Sequence, residues 1–432
     1  MDNNFIEFLY SRFLLSSGVS TDTRTVGEGN LFFALKGPNF NANAYAEEAL
    51  AKGASYAVVD DVAYKKGDKY ILAEDGLKAL QDLATFHRSR FHRKVLGLTG
   101  SNGKTTTKEL INAVLSKKYI THATTGNLNN HIGVPLTVLG IHPQVEVAII
   151  EMGANKVGDI KELCDIADPN HALITNIGKA HLEGFGSIEG VLRGKSELFD
   201  HIRKNEGTVF INSRQPMLQN MAKRFESAVT FPQPGDTYEV KFIEANPFVV
   251  FQVGNRAPVT SQLIGSYNFD NIAAAMAVGQ YFEVPLDKAE AAIAGYQPKN
   301  NRSQLLKAGS NNIILDAYNA NPDSMKVAIE NLKTMKADNK VAILGDMLEL
   351  GADSDMEHTA IGKAACEAGF SQVIFCGPKM KQAKEACPSA LYFETRDALL
   401  AHVKTSGFAD CTILIKASRG IGLEKMVLSL TR

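Results

Sequence analysis

The stretch Val95-Leu-Gly-Leu-Thr-Gly-Ser-Asn-Gly-Lys-Thr-Thr-Thr107 constrains this chain more than any other. Residues 95–99 are apolar, bounded by turn residues and β-branched at both ends, which predicts a short buried strand. Gly100 to Gly103 predict a tight turn, and Lys104 opens a helix whose apolar positions Ile111, Val114 and Leu115 share one face. Strand, glycine turn and helix N-terminus together form an anion cradle, because free backbone N–H groups and the helix dipole converge on the loop. Lys104 can reach terminal phosphates and the Thr105 hydroxyl can ligate Mg²⁺. The strict phosphate-loop pattern places a glycine five positions before Gly103, where this chain has Leu98. An ordinary glycine-containing turn with a surface lysine is the bland alternative. Gly-Lys-Thr directly after a predicted strand favours a nucleoside triphosphate site.

A chain of 432 residues exceeds what one core usually supports, so two or three domains are expected. The formal net charge of −1 provides no bulk field for nucleic acid or an anionic membrane. The basic run His87-Arg-Ser-Arg-Phe-His-Arg-Lys94 is the local exception, expected to be the solvated end of a helix leading into a linker. The five cysteines form no Cys-x-x-Cys pair, and their odd number fits a reducing compartment. With no positively charged leader at the start and no apolar run long enough to span a bilayer, a cytoplasmic protein without membrane insertion is expected.

Strands are expected at 31–35 and 54–60 around a helix at 45–52, followed by a helix at 77–90. The middle third alternates strand and helix, which favours a mostly parallel sheet. In it, Val145-Glu-Val-Ala-Ile-Ile150 ends on Glu151, and Ala172-Leu-Ile-Thr-Asn-Ile177 precedes Gly-Lys-Ala-His181. Ligands in open α/β sheets sit beyond the carboxyl ends of strands. Thr105, Glu151 and His181 all occupy such places, and Glu151 stands where a Mg²⁺ ligand is needed. Lys195, on spacing alone, reads as a solvent-facing helical lysine. Asn268 and Asn271 share a helix face and could read an adenine edge or cap the helix. From residue 311 a fresh strand–helix alternation begins at Ile313-Ile-Leu-Asp316, resembling a Rossmann-like domain without its Gly-x-Gly-x-x-Gly turn. Arg302, Asp316, Lys416 and Arg419 are polar residues at its loops and strand ends.

The run Thr99-Gly-Ser-Asn-Gly-Lys-Thr-Thr106 resembles the shortened phosphate loop of the Mur ligases, which also lack the outermost glycine. Thr125-Gly-Asn-Leu-Asn-Asn-His-Ile-Gly-Val-Pro-Leu-Thr137, Glu151-Met-Gly-Ala154 and Thr175-Asn-Ile-Gly-Lys-Ala-His-Leu-Glu183 extend the likeness. Asp316-Ala-Tyr-Asn-Ala-Asn-Pro-Asp-Ser324 and Leu344-Gly-Asp-Met-Leu-Glu-Leu-Gly351 carry it into the last third. The resemblance implies a three-domain α/β protein: a UDP-substrate domain (1–93), a central phosphate-loop ATPase domain (94–300) and a C-terminal Rossmann-like ligase domain (301–432). It implies an ATP-dependent amide ligase that joins D-Ala-D-Ala to UDP-MurNAc-tripeptide, acting as a monomer in peptidoglycan precursor synthesis. Gly100, Ser101, Asn102, Gly103, Lys104, Thr105 and Thr106 would cradle ATP, with Asn268, Asn271, Arg302 and Asp316 contacting the nucleotide. Thr105 and Glu151 would hold one Mg²⁺; Glu151, His181 and carbamylated Lys195 would serve a second. Lys104, Lys195 and His181 are the implied catalytic residues. Thr23 and Arg24 would seat the uridine nucleotide, and Asn319, Asn321, Lys416, Ser418 and Arg419 would lie near the dipeptide. The chain departs from the family pattern at Asn41-Ala-Asn43, where Asp-Gly-His is common, and at Ala417, where glycine is usual. Another ligase of the same superfamily, such as a folylpolyglutamate synthase, would share the ATPase centre. A phosphate-loop switch that binds a partner is disfavoured by the missing Asn-Lys-x-Asp signature.

Overall fold

The central sheet fixes where everything else must go. Its six strands are all parallel, in the order Val229–Phe231, Thr208–Asn212, His171–Ile174, Lys94–Thr99, Val147–Glu151, Thr121–Ala123. The strand Lys94–Thr99 comes first in the chain yet lies inside the sheet. The chain goes first to the edge strand Thr121–Ala123, returns inward through Val147–Glu151, and then crosses to run outward on the other side, so Lys94–Thr99 marks a switch point where a crevice opens beyond the strand ends. Side chains alternate between two apolar layers, as the two-residue period of a doubly covered sheet demands. Val95, Ala148, Ile150, Ala172 and Ile174 face one core, while Leu96, Leu98, Ile149 and Leu173 face the other. The structure, a computed structural model, describes residues 3–299 and 301–430.

The first α/β unit has a four-stranded parallel sheet, Val19–Ser20, Leu31–Phe33, Tyr56–Val59 and Tyr70–Leu72. Its helix Gly76–Ser89 packs on the central helices Gly133–Leu139 and Asp159–Ala167, so Leu80 and Leu83 belong to the same core as Val95 and Val134. Most of the basic run at the end of this helix is exposed, as expected, but one of its charges is not. Arg88 is buried and donates to the carbonyls of Ala167 and Asp168 (2.7 and 2.5 Å). A guanidinium there satisfies carbonyls left free at a helix C-terminus and meets the negative end of its dipole. The nearby His87 Nε2 lies 2.9 Å from the Ile141 carbonyl, a second tie across the junction.

A three-stranded antiparallel sheet, Lys241–Ala245, Phe248–Gln252 and Val259–Ile264, comes after the central sheet and was not anticipated from sequence. Its outer strand is mostly exposed, so the chain there carries no continuous apolar signal. The last unit has a six-stranded sheet in the order Gln304–Ala308, Asn311–Asp316, Cys411–Lys416, Asn339–Gly345, Gln372–Cys376, Leu391–Phe393. All pairings are parallel except the first, an antiparallel edge before the expected Rossmann-like alternation. No described helix is long and apolar enough to cross a membrane.

Candidate active site

The cleft, about 800 Å³, lies where the carboxyl ends of the central and C-terminal sheets face each other. The strand Lys94–Thr99 runs into Gly100 (φ +147°), and Gly103 (φ +79°) precedes the helix Lys104–Leu115. Both conformations exclude most side chains. A Cβ on Gly100 would also lie 2.0 Å from Thr175 Oγ1, and one on Gly103 2.5 Å from Asn271 Oδ1. The loop is tied to the neighbouring strand end by Ser101 N to the Asn176 carbonyl and Asn102 N to Asn176 Oδ1, each 3.0 Å. Lys104 folds back on its own loop, donating to the Gly100 and Ser101 carbonyls (2.8 and 3.3 Å). Burial lowers its pKa against the opposing pull of Glu151, a cost to the ammonium that an anionic partner would offset.

Glu151 closes the strand Val147–Glu151 and is 1% exposed. Its Oε1 accepts from Thr105 Oγ1 (3.2 Å) and Asn129 Nδ2 (2.8 Å), while Oε2 is buried with no hydrogen-bond partner among the described residues. An orphaned carboxylate oxygen beside a helix-opening threonine fits a Mg²⁺ ion that takes its remaining ligands from phosphate and water. Among the described residues no group of three or more His, Cys, Asp or Glu is placed to hold a metal ion. His181, with φ +51°, caps the short helix Leu182–Phe185 and lies 2.7 Å from Glu349 Oε2.

Lys195 overturns the reading taken from its spacing. It is 1% exposed in the helix Ile188–Lys204, with Nζ 3.4 Å from the carbonyl of Ala154, a residue of the cleft wall, and over the Phe185 ring. Burial, with Lys104 nearby, drives its pKa well below the ordinary lysine value. Burial therefore disfavours the ammonium form and favours the nucleophilic amine.

Asn268 and Asn271 line the cleft from the helix Asn268–Tyr281, but their amides are mostly committed within the protein. Asn268 Nδ2 donates to Ile264 O and Asn271 Nδ2 to Asn268 Oδ1 (both 2.8 Å), while Thr107 Oγ1 donates to Asn271 Oδ1 (2.9 Å). They tie this helix to the phosphate-loop helix. From the opposite sheet, Asp316 pairs with Lys416 at 2.6 Å, and Lys416 also donates to the Asn319 carbonyl. Arg302 stacks over Tyr318 at 3.8 Å, with its buried Nε free of any partner among the described residues. Asn321 caps the helix Pro322–Thr334 and reaches Asn102 Oδ1 in the phosphate loop (2.7 Å). Asp323 accepts from Lys179 N (2.7 Å), and Lys179 Nζ pairs with Glu357.

Six candidates do not line the cleft: Gly100 turns the loop beneath it, Lys195 lies behind the wall at Ala154, and the other four stand apart. Ser418 is buried and accepts from Leu348 N at 3.0 Å, so it shapes a loop. Arg419 lies over the Tyr318 ring, 5.4 Å from its centroid. Thr23 and the exposed Arg24 belong to the first unit, where Arg24 pairs with Asp22. The two departures have structural roles. Asn43 is buried between Asn41 and Asp60, donating to Asp60 Oδ1 (2.7 Å) and accepting from Asp60 N (3.0 Å). The Ala417 methyl fills space that Gly345 leaves open, since a Cβ on Gly345 would lie 2.7 Å from it. Sequence reasoning gave no individual role to Asn129, Tyr318 or Glu349. Each lies within a segment carrying the resemblance, but only spatial neighbours reveal what it touches.

A phosphate loop facing an orphaned carboxylate, covered by a second α/β sheet that brings a free guanidinium, defines a nucleotide-dependent enzyme of the bond-forming type. The chain belongs to the Mur ligase family. The family models for the Mur ligase middle domain and for the Mur ligase, glutamate ligase domain match residues 98–279 and 301–419. The chain is 35% identical to UDP-N-acetylmuramoyl-tripeptide--D-alanyl-D-alanine ligase of Bacillus subtilis, over 95% of this chain and 92% of that one. It is 33% identical to the protein of the same name in Escherichia coli, over 95% and 93%. A crystal structure of MurF from Acinetobacter baumannii superposes with a TM-score of 0.87 at 28% identity, covering 99% of this chain and 98% of that one. MurF ligase from Thermotoga maritima in complex with ADP gives 0.84 at 28% identity, covering 97% of both.

Proposed function

We propose that this chain joins D-alanyl-D-alanine to UDP-N-acetylmuramoyl-tripeptide, converting ATP to ADP and phosphate. The observation that carries the reading is the phosphate loop facing Glu151, with the orphaned Oε2, across a cleft from Arg302, Asp316 and Lys416. It is supported by relatives bearing that activity in their names over nearly the whole chain. The division at 1–93, 94–300 and 301–432 belongs to the same proposal and accords with three separate, mainly parallel sheets.

A carboxylate is too poor an electrophile for direct amide formation, so the terminal carboxylate of the tripeptide attacks the γ-phosphorus of ATP. The β–γ bridging bond breaks and ADP leaves. The dipeptide amine then attacks the acyl carbon, a tetrahedral intermediate forms, and phosphate departs with the amine proton lost to solvent or a base. Lys104 and the backbone N–H groups of residues 100–106 neutralise charge on the phosphoryl group, where catalysis is mostly positioning and electrostatics. Thr105 and Glu151 would hold Mg²⁺, which supplies further neutralisation of the phosphate oxygens. Lys195 would add CO₂: the N–C bond forms, one proton leaves, and a buried amine becomes an anionic oxygen donor for a second Mg²⁺ alongside Glu151 and His181. Arg302 and Asp316 would contact the nucleotide from the C-terminal sheet, and Asn319, Asn321 and Lys416 would face the dipeptide. Thr23 and Arg24 would seat the uridine nucleotide. The contacts from Asn321, Asp323 and Glu349 to the central unit keep water from the acyl phosphate.

Phosphate release with ATP and Mg²⁺ tests this directly. Release should require the UDP-tripeptide and the dipeptide together, and should yield a UDP-pentapeptide by mass. Release indifferent to both would overturn the proposal.

A further inference from the structure

A second cavity, about 500 Å³, opens at the opposite end of the C-terminal sheet, where strands Asn339–Gly345, Gln372–Cys376 and Cys411–Lys416 begin. Three of the five cysteines line it: Cys366, Cys387 and Cys411. The ligation chemistry uses none of them. The helices Ser354–Glu367 and Lys381–Ala386 touch where Gly362 meets Ala383, so closely that a Cβ on Gly362 would lie 2.3 Å from the Ala383 carbonyl. One turn beyond each contact residue stands a cysteine, Cys366 on one side and Cys387 on the other. Both thiols turn to the same hydroxyl. Cys366 Sγ lies 3.9 Å and Cys387 Sγ 3.7 Å from Ser389 Oγ. Cys366 is exposed and Cys387 fully buried, while Cys411 is engaged with the Ala409 carbonyl at 3.2 Å.

We propose that Cys366 and Cys387 form a modifiable dithiol whose substrate is a small-molecule disulfide. The Cys366 thiolate attacks one sulfur of the disulfide; its S–S bond breaks, and one small thiol leaves after taking up a proton. The remaining half, now joined to Cys366, occupies the cavity. Cys387 then gives up its proton and attacks the Cys366 sulfur, expelling the second small thiol. Two protein thiols are oxidised and one disulfide is reduced to two thiols, so electrons and protons balance. The order follows from access, because only Cys366 meets solvent. Burial and the neighbouring Cys366 thiol raise the pKa of Cys387, which disfavours its direct reaction with a disulfide in solution and leaves its proximity to Cys366 to drive the second step. The product ties the last turn of Ser354–Glu367 to the residue after Lys381–Ala386, at the end of the sheet remote from the ATP cleft.

Reduced full-length protein is incubated under native conditions with oxidised glutathione, quenched by alkylation and mapped by peptide mass without reduction. The expected result is a Cys366–Cys387 link, two thiols lost and no glutathione retained. In Cys387→Ser, glutathione should stay on Cys366; in Cys366→Ser, Cys387 should remain unmodified until unfolding. Oxidised wild-type protein should keep its rate of substrate-dependent phosphate release within about twofold and should melt at a higher temperature, since the link closes a loop. Glutathione retained on wild-type Cys366 beside a free Cys387, a link through Cys411, or no thiol loss would each overturn the proposal. All three readouts are independent of whether the ligase reaction is correctly assigned.

Discussion

The two six-stranded sheets that meet at the cleft are built alike and equipped differently. Each presents its strand ends to the same space, but the central sheet arrives with backbone and the C-terminal sheet with side chains. After Lys94–Thr99 come two glycines at positive φ and a helix N-terminus, a surface of N–H groups shaped for phosphate. After Asn311–Asp316 come Tyr318, Asn319 and Asn321, with Arg302 stacked above and Lys416 paired below. The turn on that side is closed by an Asn321 cap and capping box rather than left open for an anion. One sheet is therefore made to grip and the other to cover, and the same α/β scaffold yields either according to the residues placed after the strand.

If gripping belongs to the central sheet, its removal should have the largest effect. Lys104→Ala should lower kcat for phosphate release by on the order of 10³-fold or more, as for loss of a charge-stabilising group at a reacting centre. Circular dichroism and melting temperature should be little changed, because the lysine's protein partners are two carbonyls of its own loop. Near-normal turnover would break the comparison at its base.

A backbone requirement sharpens it further. Gly103→Ala places a methyl at φ +79° and within 2.5 Å of Asn271 Oδ1, an atom already held by Thr107. The left-handed conformation alone costs about 1–2 kcal/mol for an alanine. With the clash added, KM for ATP should rise on the order of 10- to 100-fold, with a smaller change in KM for the dipeptide. An equal rise in both would mean the loop is not dedicated to nucleotide.

The covering sheet should fail differently. Lys416→Met removes the partner of Asp316 from a 2%-exposed position and leaves a partly buried carboxylate unpaired. Breaking such a pair costs about 3 kcal/mol, so the principal readout is a lower urea midpoint, with activity at low temperature falling less than in Lys104→Ala. A stable variant with abolished turnover would instead make Lys416 a direct participant in the reaction.

This difference also governs how much was legible in the sequence. The phosphate loop was legible because its glycines, lysine and threonine are required at fixed spacing by the backbone itself. The mostly parallel pairing of both sheets followed from strand–helix alternation, the antiparallel edge Gln304–Ala308 did not, and Glu151 followed from its place at a strand end. Lys195 was misread because spacing along a helix says nothing about a wall formed by Ala154 and Phe185. Arg88 is the buried exception in an otherwise exposed basic run for the same reason: the carbonyls it satisfies lie 79 and 80 residues away in the chain. The antiparallel sheet at 241–264 escaped because its outer strand is mostly exposed and lacks apolar periodicity. Tyr318 and Glu349 acquire meaning only when Arg302 and His181 are brought against them.

The smallest effect separates covering from mere packing. Asn321 has two jobs on two atoms: Oδ1 accepts from Ser324 N at 2.9 Å, and Nδ2 donates to Asn102 Oδ1 across the cleft. Asn321→Ala removes both, and loss of the cap should cost about 1 kcal/mol of stability. Asn321→Asp retains an acceptor for the cap, near a helix N-terminus that favours negative charge, but loses the donor to the phosphate loop. Stability should therefore be near wild type in Asn321→Asp, while kcat/KM for ATP falls several-fold in both variants. If Asn321→Asp turns over normally, the contact to Asn102 is packing, and the C-terminal sheet covers the cleft without touching the loop that grips.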